Sequence, residues 1–357
     1  MARLFGREWT MRELLERVGE LGQIAGVERF TYTDGVRDGV QAARLRSGGG
    51  LDYTVLLSRG MDIAHASYRG TPFAWVSATG MAHPSRFEPE TRGWLRTFHG
   101  GLLTGCGLSN AGAPSQDGDE SLGLHGHLSH IPAEECASGT IRTGDEAEIF
   151  VSGTLREARV FSENLRLTRR ISSPLGGKSL TVTDTVENVG FQTSPLMLLY
   201  HLNFGWPLVS ETTDLIYHRA SDPIPRDAVA AAGFERWQHL DPPTPGYAEQ
   251  CFFHDPLPDR DNHATVLMIN RTTHMGISVA YDRAAFPFLT QWKMMGQGEY
   301  VCGIEPANCR VLGRAAEREA GRLQTIAPGE IRRFTVTLTV LDGLSEIAGA
   351  EAMLPHR

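Results

Sequence analysis

Cysteine is scarce in this sequence, and the cysteines that are present form no recognisable framework. The 357 residues include five cysteines. An odd number without any CxxC spacing argues against both a disulfide framework and a thiolate zinc site. A reducing, cytoplasmic compartment therefore fits best. The five are Cys106, Cys136, Cys251, Cys302 and Cys309.

Long apolar runs and an excess of basic residues are also missing. No stretch reaches the roughly 18 consecutive apolar residues that a membrane span requires. The charged segment 1–19 has no apolar centre of the kind that a signal peptide carries. The net charge of -8 argues against nucleic acid or an anionic membrane surface as the main partner. We therefore expect no nucleic acid, no membrane and no export signal, and a homodimer is left open.

Helical periodicity is confined to the N-terminus. Thr10 can cap a helix, and Glu13 stands at capping-box spacing from it. Apolar residues at positions 11, 14, 15 and 18 then form one stripe, so the spacing predicts a short helix over residues 10–18. We assign this helix to an extension over residues 1–22, followed by a single domain over residues 23–345.

Short strand-like segments make up the rest of the chain. They are separated by turns rich in Gly, Asp and Asn, and the sequence contains 39 Gly and 19 Pro. This pattern predicts an all-β fold, a large antiparallel sandwich or barrel. Strands are predicted at residues 24–32, 40–45, 53–57, 63–68, 148–155, 160–171, 179–189, 196–201, 264–270, 276–281 and 332–340.

The stretch 286–309, FPFLTQWKMMGQGEYVCGIEPANC, combines an aromatic and basic run, a Gly-containing turn and a strand that ends in a carboxylate. Pro306 cannot continue a central ladder, so Glu305 is predicted at a strand end, where it can face a cleft. Trp292 and Lys293 supply a flat apolar face and a cation. This mixture suits a sugar, whose hydroxyls need hydrogen bonds and whose C–H faces stack on aromatic rings. The alternative is a strand-end glutamate in a surface ion pair.

Three histidines stand in the segment LHGHLSH, residues 124–130. If this segment is a strand, His125 and His127 face the same way and could ligate zinc or iron. Imidazoles also bind sugar hydroxyls, and no acidic ligand follows at a convincing short spacing. We therefore expect His125 and His127 to contact substrate and no metal to be bound, with a metal site that includes His130 as the alternative.

Two further polar residues are placed on one strand face. His201 and Asn203 stand at i and i+2 in the apolar segment LYHLNFGWP, which favours a cleft over a single buried histidine. Arg59 and Asp62 in SRGMD could contact a ligand or simply pair with each other. The remaining candidate contacts are Asn110 in the Gly-rich segment 97–112 and Glu249 in GYAEQ.

These segments carry a resemblance to a known superfamily. The order LHG at 124–126, HLNF at 201–204, GY at 246–247 and GIEP at 303–306 resembles the galactose mutarotase-like superfamily. More closely, SRGMDI, YHLNFGWPL and QWKMMGQGEYVCGIEPANC are similar to stretches of the aldose 1-epimerase-related proteins of uncharacterised function, the DUF4432 type. The resemblance spans residues 23–341.

The resemblance implies a fold, a chemistry and three residue roles. It implies a β-supersandwich that binds a sugar or sugar acid on a concave sheet, and an isomerase of the aldose 1-epimerase type that opens and recloses the hemiacetal without a cofactor. By position, Glu305 would be the general base and His201 the general acid, while His125 would hold the sugar. The alternatives are a non-catalytic carbohydrate-binding or regulatory protein, and a metal-dependent sugar isomerase or lyase that uses His125 and His127.

The sequence departs from the mutarotase pattern at two positions. The arginine of the GRxxNR-type motif has no counterpart in GLSNAG, residues 107–112, where only Asn110 matches. The aspartate expected after Tyr247 is Ala248, so that Glu249 stands one place late. Both departures bear on which hydroxyl groups of a sugar the site could recognise.

Overall fold

Strands dominate the chain. The structure, a computed structural model, describes residues 1–354. Its four α-helices are α1 Met11–Leu15, α2 Ala228–Ala232, α3 Arg314–Glu319 and α4 Leu344–Ala352. The strands are β1 Ala2–Leu4, β2 Arg7–Trp9, β3 Gly26–Thr31, β4 Gln41–Arg46, β5 Leu51–Leu56, β6 Asp62–Tyr68, β7 Thr71–Pro72, β8 Leu103–Leu108, β9 Ser115–Asp117, β10 Glu120–Leu122, β11 Glu134–Thr143, β12 Glu146–Ala158, β13 Asn164–Pro174, β14 Ser179–Asn188, β15 Ser194–Pro195, β16 Met197–Gly205, β17 Thr213–Ile216, β18 Ile224–Pro225, β19 Gln250–His254, β20 His263–Asn270, β21 Met275–Asp282, β22 Phe288–Gly296, β23 Glu299–Ala307, β24 Thr325–Ile326 and β25 Ile331–Asp342.

Two large antiparallel sheets hold most of these strands. The first has eight strands in the order β11-β12-β13-β14-β25-β21-β20-β17. The second has eleven, in the order β18-β19-β22-β23-β16-β8-β6-β5-β4-β3 with β7 paired to β6. Side chains of both sheets, such as Val182 and Val336 from the first and Tyr200 and Ile304 from the second, belong to one buried apolar cluster. The predicted all-β antiparallel sandwich is confirmed.

Strand β16 lies inside the larger sheet, between β8 and β23, and all nine of its residues are buried. Because side chains alternate along a strand, Tyr200 and its inward-facing neighbours enter the core between the sheets. Met197 and Leu199 point to the opposite face, where a second apolar cluster includes Trp94 and Phe98 from the segment before β8. His201 lies on this outer face by the same alternation, so its surroundings are set by loops as well as by the sheet.

The N-terminal segment differs from the prediction in two respects. The predicted helix forms with its Thr10–Glu13 capping box, but it ends at Leu15, with Glu16 as its C-cap. The hairpin β1–β2 precedes the helix, and Leu4 and Leu14 join the main core. The segment is thus a hairpin and a helix packed on the sandwich. Among residues 1–354, no helix is long and apolar enough to cross a membrane.

A buried hydrogen-bond network around the ion pair of Arg169 and Asp184 links the two sheets. The Arg169 guanidinium on β13 donates two hydrogen bonds to Asp184 on β14, at 2.9 and 2.6 Å, and a third to the Gly60 carbonyl at 2.9 Å. The Tyr200 hydroxyl on β16 also donates to Asp184. Both ionic side chains are fully buried. This network anchors β16 from the core side, directly beside His201.

Asp184→Asn should destabilise the protein strongly, because it leaves the Arg169 charge buried without its counter-ion. Removal of one partner of a buried pair costs about 3–5 kcal/mol. Urea denaturation measures the change in the free energy of unfolding.

The matched control is Glu187→Gln, which breaks the partly exposed Arg166–Glu187 pair on the same two strands. Such surface pairs contribute about 0–1 kcal/mol. Equal small losses in both variants would show that the buried pair does not hold the sheets together.

Candidate active site

His201 and Glu305 meet on neighbouring strands. The antiparallel pairs Leu199–Ala307 and Leu202–Ile304 set the register of β16 and β23, and this register places His201 opposite Glu305. His201 Nε2 lies 3.3 Å from Glu305 Oε1. His201 is 5% exposed and Glu305 is 2% exposed. A carboxyl group and an imidazole therefore face each other, and both have little exposure to solvent.

The strand does not end at Glu305 as predicted but continues to Ala307. Pro306 is tolerated because the ladder to β16 has no bridge at residues 305 and 306. Gly303 is required on the same face. A Cβ atom at Gly303 would lie 2.9 Å from Glu305 Oε1 and 3.1 Å from Trp292 Cβ, so glycine leaves room for the carboxyl group.

The pair opens into a cleft of about 470 Å³ on the outer face of the larger sheet. Its walls are mainly aromatic and aliphatic, with charged groups on one side. Trp94 and Phe98 stack on each other with ring centroids 4.4 Å apart, and Trp292 stands at 79° to the His201 ring at 5.2 Å. The lining residues are Arg92, Trp94, Leu95, Phe98, Ala113, Pro114, Leu124, His125, His201, Arg226, Asp227, Glu249, Cys251, Trp292, Glu305, Val311 and Leu312.

His125 lines the cleft, but the other two histidines of the segment, His127 and His130, do not. Residues 124–127 form a turn in which His125 has a φ of 59°, so the alternation expected of a strand does not apply. His125 lies beside His201 with ring centroids 5.6 Å apart. His127 is exposed, packs edge-on against Phe87 and does not line the cleft, contrary to the expected shared face.

The three histidines therefore do not converge on a metal site. His130 is buried, stacks on Phe87 at 3.8 Å, and contacts the Thr97 hydroxyl through Nε2 at 2.8 Å. Within residues 1–354, no group of three or more His, Cys, Asp or Glu side chains is arranged to hold a metal ion. The metal alternative thus has no such group to support it in this part of the chain.

Arg59 and Asp62, predicted as ligand contacts or as an ion pair, are fully buried away from the cleft. Arg59 is fully buried and donates to the carbonyls of Ala82 at 2.6 Å and Thr97 at 2.9 Å. Asp62 accepts from the Gly105 N–H at 2.8 Å, and the Ser129 hydroxyl donates to it at 2.6 Å. Their charges are consumed in fixing loops, and neither lines the cleft.

Lys293, which was predicted to contact a ligand beside Trp292, does not line the cleft. Trp292 and Lys293 are adjacent on β22, so they point to opposite faces of the sheet. Lys293 is buried on the inner face, where Nζ contacts Asp241 at 3.2 Å and donates to the Arg236 carbonyl at 3.0 Å. Because the two residues are adjacent on one strand, Trp292 and Lys293 cannot contact the same ligand on one face of the sheet.

The two asparagines support the site from outside the cleft. Asn203 shares the face of His201, as predicted, and its amide donates to the carbonyls of Gly101 and His201 at 3.0 and 2.9 Å. Asn110 donates to the Gly123 carbonyl at 2.8 Å, which holds the loop that precedes His125. Neither asparagine lines the cleft, so the structure places both behind the residues that could contact a ligand there.

Glu249 lies in the cleft as predicted, and it is joined there by an arginine that the sequence reading missed. Arg226 donates to Glu249 at 3.0 Å and to Asp227 at 2.7 Å. The Trp292 indole N–H donates to the other Glu249 oxygen at 2.9 Å. Arg226 lies outside the motifs that carry the resemblance, so no signal in the sequence tied it to Glu249.

Burial displaces both pKa values of the catalytic candidates. Burial raises the pKa of Glu305 to about 8, with a further rise from the Glu249 charge and an opposing effect of Arg226. Burial lowers the pKa of His201 to about 4, which the Asn203 side chain and the Glu249 charge partly offset. Between these values the pair holds one proton, which rests on Glu305. Burial also lowers the pKa of His125 well below its usual range, so this imidazole is neutral.

Comparison with known proteins assigns the chain to a family. Residues 37–340 match the family described as Domain of unknown function (DUF4432). The chain belongs to this family. No curated protein matches the sequence significantly.

Solved structures share the architecture of this DUF4432 protein. A Klebsiella pneumoniae protein described as a candidate aldose 1-epimerase is 25% identical with a TM-score of 0.87, over 91% of this chain and 86% of that one. A galactose 1-epimerase from Lactobacillus acidophilus is 15% identical with a TM-score of 0.58, over 90% of this chain and 100% of that one. A galactose mutarotase-like protein from Clostridium acetobutylicum is 12% identical with a TM-score of 0.62, over 90% and 99%. The fold is galactose mutarotase-like.

Glu305→Gln should stabilise the protein at neutral pH. The unfolded chain ionises this carboxyl above its ordinary pKa of 4.5, whereas the folded protein keeps it protonated up to about 8. The free energy of unfolding of the native sequence therefore falls as pH rises through this window. We expect the variant to be more stable by on the order of 3 kcal/mol near pH 7, and the difference to vanish near pH 4, as measured by urea denaturation.

The control is Glu299→Gln, which changes an exposed glutamate at the other end of the same strand. Its difference from the native protein should stay small at every pH. If Glu305→Gln gives no stabilisation near pH 7, the carboxyl group ionises normally and the desolvated pair is not present.

Proposed function

We propose that this protein is a carbohydrate isomerase of the aldose 1-epimerase type, which opens and recloses the hemiacetal ring of a sugar by proton exchange with Glu305 and His201. The observation that carries the proposal is the 3.3 Å contact between His201 Nε2 and Glu305 Oε1 in a cleft walled by aromatic rings. The likeness to the Klebsiella pneumoniae protein supports the same class.

The chemistry requires two groups on one pyranose. The anomeric hydroxyl must lose a proton while the ring oxygen gains one, and general acid–base catalysis by a positioned side chain contributes about 10²–10⁴-fold. Glu305 accepts the hydroxyl proton and His201 donates to the ring oxygen, as the resemblance assigns them. After rotation about the bond between carbons 1 and 2, the reverse transfer closes the ring to the other anomer. No proton is gained or lost by the pair over the cycle.

The competent state of the pair is the one that holds a single proton. In the free protein this proton rests on Glu305, because the pKa of Glu305 is about 8 and that of His201 about 4. The anomeric hydroxyl of a bound sugar donates a hydrogen bond to the Glu305 carboxylate, and the ring oxygen accepts one from the His201 imidazolium. Hydrogen bonds to the charged form of a group favour that form. Substrate binding therefore moves the proton from Glu305 to His201.

The remaining cleft residues suit the binding of a neutral sugar. Trp94, Phe98 and Trp292 offer rings for the C–H faces. His125 also lines the cleft, and its buried Nδ1 has no hydrogen-bond partner among residues 1–354. Arg226 is already neutralised by two carboxylates, Asp227 and Glu249. Because this half-buried cation is already engaged, we favour an aldose over a sugar acid as the substrate.

The direct test is the rate of anomer exchange, measured by NMR magnetisation exchange on equilibrated aldoses after subtraction of the spontaneous rate. Native protein should accelerate the exchange, and Glu305→Gln should lose this acceleration by at least roughly 100-fold while still binding sugar. Gln keeps the shape of the side chain but cannot accept the proton. Binding is followed by thermal shift.

Glu299→Gln, the exposed control, should exchange anomers at the native rate. A native rate in Glu305→Gln would remove this residue from the mechanism. If the native protein binds sugars and yet never exceeds the spontaneous rate, the protein is a carbohydrate-binding protein and the proposed activity is wrong.

The pH dependence of kcat/KM should be bell-shaped, because only the singly protonated pair is competent. Activity should fall below about pH 4, where His201 also takes a proton, and above about pH 8, where Glu305 loses its proton. Steady-state rates across this range measure the limbs. A profile that stays flat from about pH 6 to about pH 10 would show that no group with the raised pKa takes part.

A further inference from the structure

Glu249 lines the cleft together with the charged residues Arg226 and Asp227. One of its carboxylate oxygens accepts from Arg226 at 3.0 Å, and the other accepts from the Trp292 indole N–H at 2.9 Å. Arg226 is held in turn by Asp227, which caps α2 through a hydrogen bond from the Ala230 N–H at 3.0 Å. The carboxylate thus has both oxygens engaged by protein donors.

Trp292 lies between Glu249 and the pair formed by His201 and Glu305. Its ring stands nearly perpendicular to the His201 ring at a centroid distance of 5.2 Å, and it also contacts Trp75 at 5.9 Å. The Cβ of Trp292 lies beside Gly303, the residue that leaves room for the Glu305 carboxyl. A rotation of the indole would therefore change the space available to both His201 and Glu305.

We infer that Glu249 is a positioning residue: it fixes the Trp292 indole against His201, and its negative charge favours retention of the proton that Glu305 and His201 share. The second part rests on the proposed function, whereas the first concerns geometry alone. This role differs from the substrate contact that the sequence predicts for Glu249, because both carboxylate oxygens already accept hydrogen bonds from protein groups.

Electrostatics supports the inference in a specific direction. The Glu249 charge raises the pKa of Glu305 and also that of His201, while Arg226 lowers the pKa of Glu305. Loss of the Glu249 charge removes the first effect and leaves the Arg226 charge less compensated, so both pKa values should fall together. The other titratable or charged groups that line the cleft are His125, Arg92, Asp227 and Cys251. The buried thiols of Cys106, Cys302 and Cys309 also interact electrostatically with Glu305, although Cys302 lies on the inner face of the sheet.

The test compares Glu249→Gln with two variants that separate charge from hydrogen bonding. Glu249→Gln keeps an acceptor for the indole but removes the charge, and Glu249→Asp keeps the charge. Trp292→Phe keeps the ring and the Glu249 charge but removes the N–H donor. The readouts are the pH titration of the His201 ring by NMR of ¹⁵N-labelled histidine, assigned with His201→Asn, the chemical shift of the Trp292 indole N–H, and the limbs of kcat/KM against pH.

Glu249→Gln should lower the titration midpoint of His201 and the alkaline limb of kcat/KM by roughly 1 pH unit each. Glu249→Asp should keep both near their native values, and Trp292→Phe should lower kcat without moving the limbs. An unchanged His201 titration in Glu249→Gln, with an unchanged indole shift, would overturn the inference. The NMR readouts need no turnover, so a protein without epimerase activity would refute the proposed function and still decide the role of Glu249.

Discussion

The arrangement depends on one constraint, the two-residue alternation of side chains along the fully buried strand β16. Its inner face supplies Tyr200 to the core, where the hydroxyl is bonded to the Asp184–Arg169 pair of the opposite sheet. Its outer face supplies His201 to the cleft, next to Glu305 on β23. A shift of this strand by one residue would exchange the two faces, so the packing of the core and the position of the imidazole are fixed by the same register.

Burial acts differently on the two kinds of carboxyl group in this core. Asp184 is matched by a guanidinium and a phenol, which supply three hydrogen bonds and a full counter-charge. Glu305 has a neutral imidazole at 3.3 Å and, among residues 1–354, no ion pair with an arginine or lysine, so burial raises its pKa to about 8. A buried carboxyl group with a raised pKa lowers the stability of the folded protein at neutral pH. Groups with such shifted pKa values cluster in clefts that carry out reactions. The distribution of counter-charges therefore separates the structural carboxylate from the reactive one.

Sequence reasoning recovered the fold class and the pair itself, and it failed where alternation was misapplied. His201, Glu305, His125, Glu249 and Trp292 all lie in the cleft. The alternation of side chains along a strand predicts one face for His125 and His127, but their segment forms a turn. The same alternation places Lys293 and Trp292 on opposite faces of the regular strand β22, and the prediction for Lys293 did not take this into account. Two long-range features are missing from the prediction. Strand β8, which contains two glycines in six residues, is not among the predicted strands. The Arg226–Glu249 contact joins segments that only the folded sheet brings together.

The central claim is that Glu305 and His201 hold a single proton at neutral pH and that this proton rests on the carboxyl group of Glu305. Carbon-13 NMR of glutamate side chains, with Glu305→Gln to assign the signal, measures this directly in the free protein. The account predicts a protonated carboxyl at neutral pH and a titration midpoint of about 8. A Glu305 carboxyl that is ionised at neutral pH, with a midpoint near its ordinary value of 4.5, would contradict it.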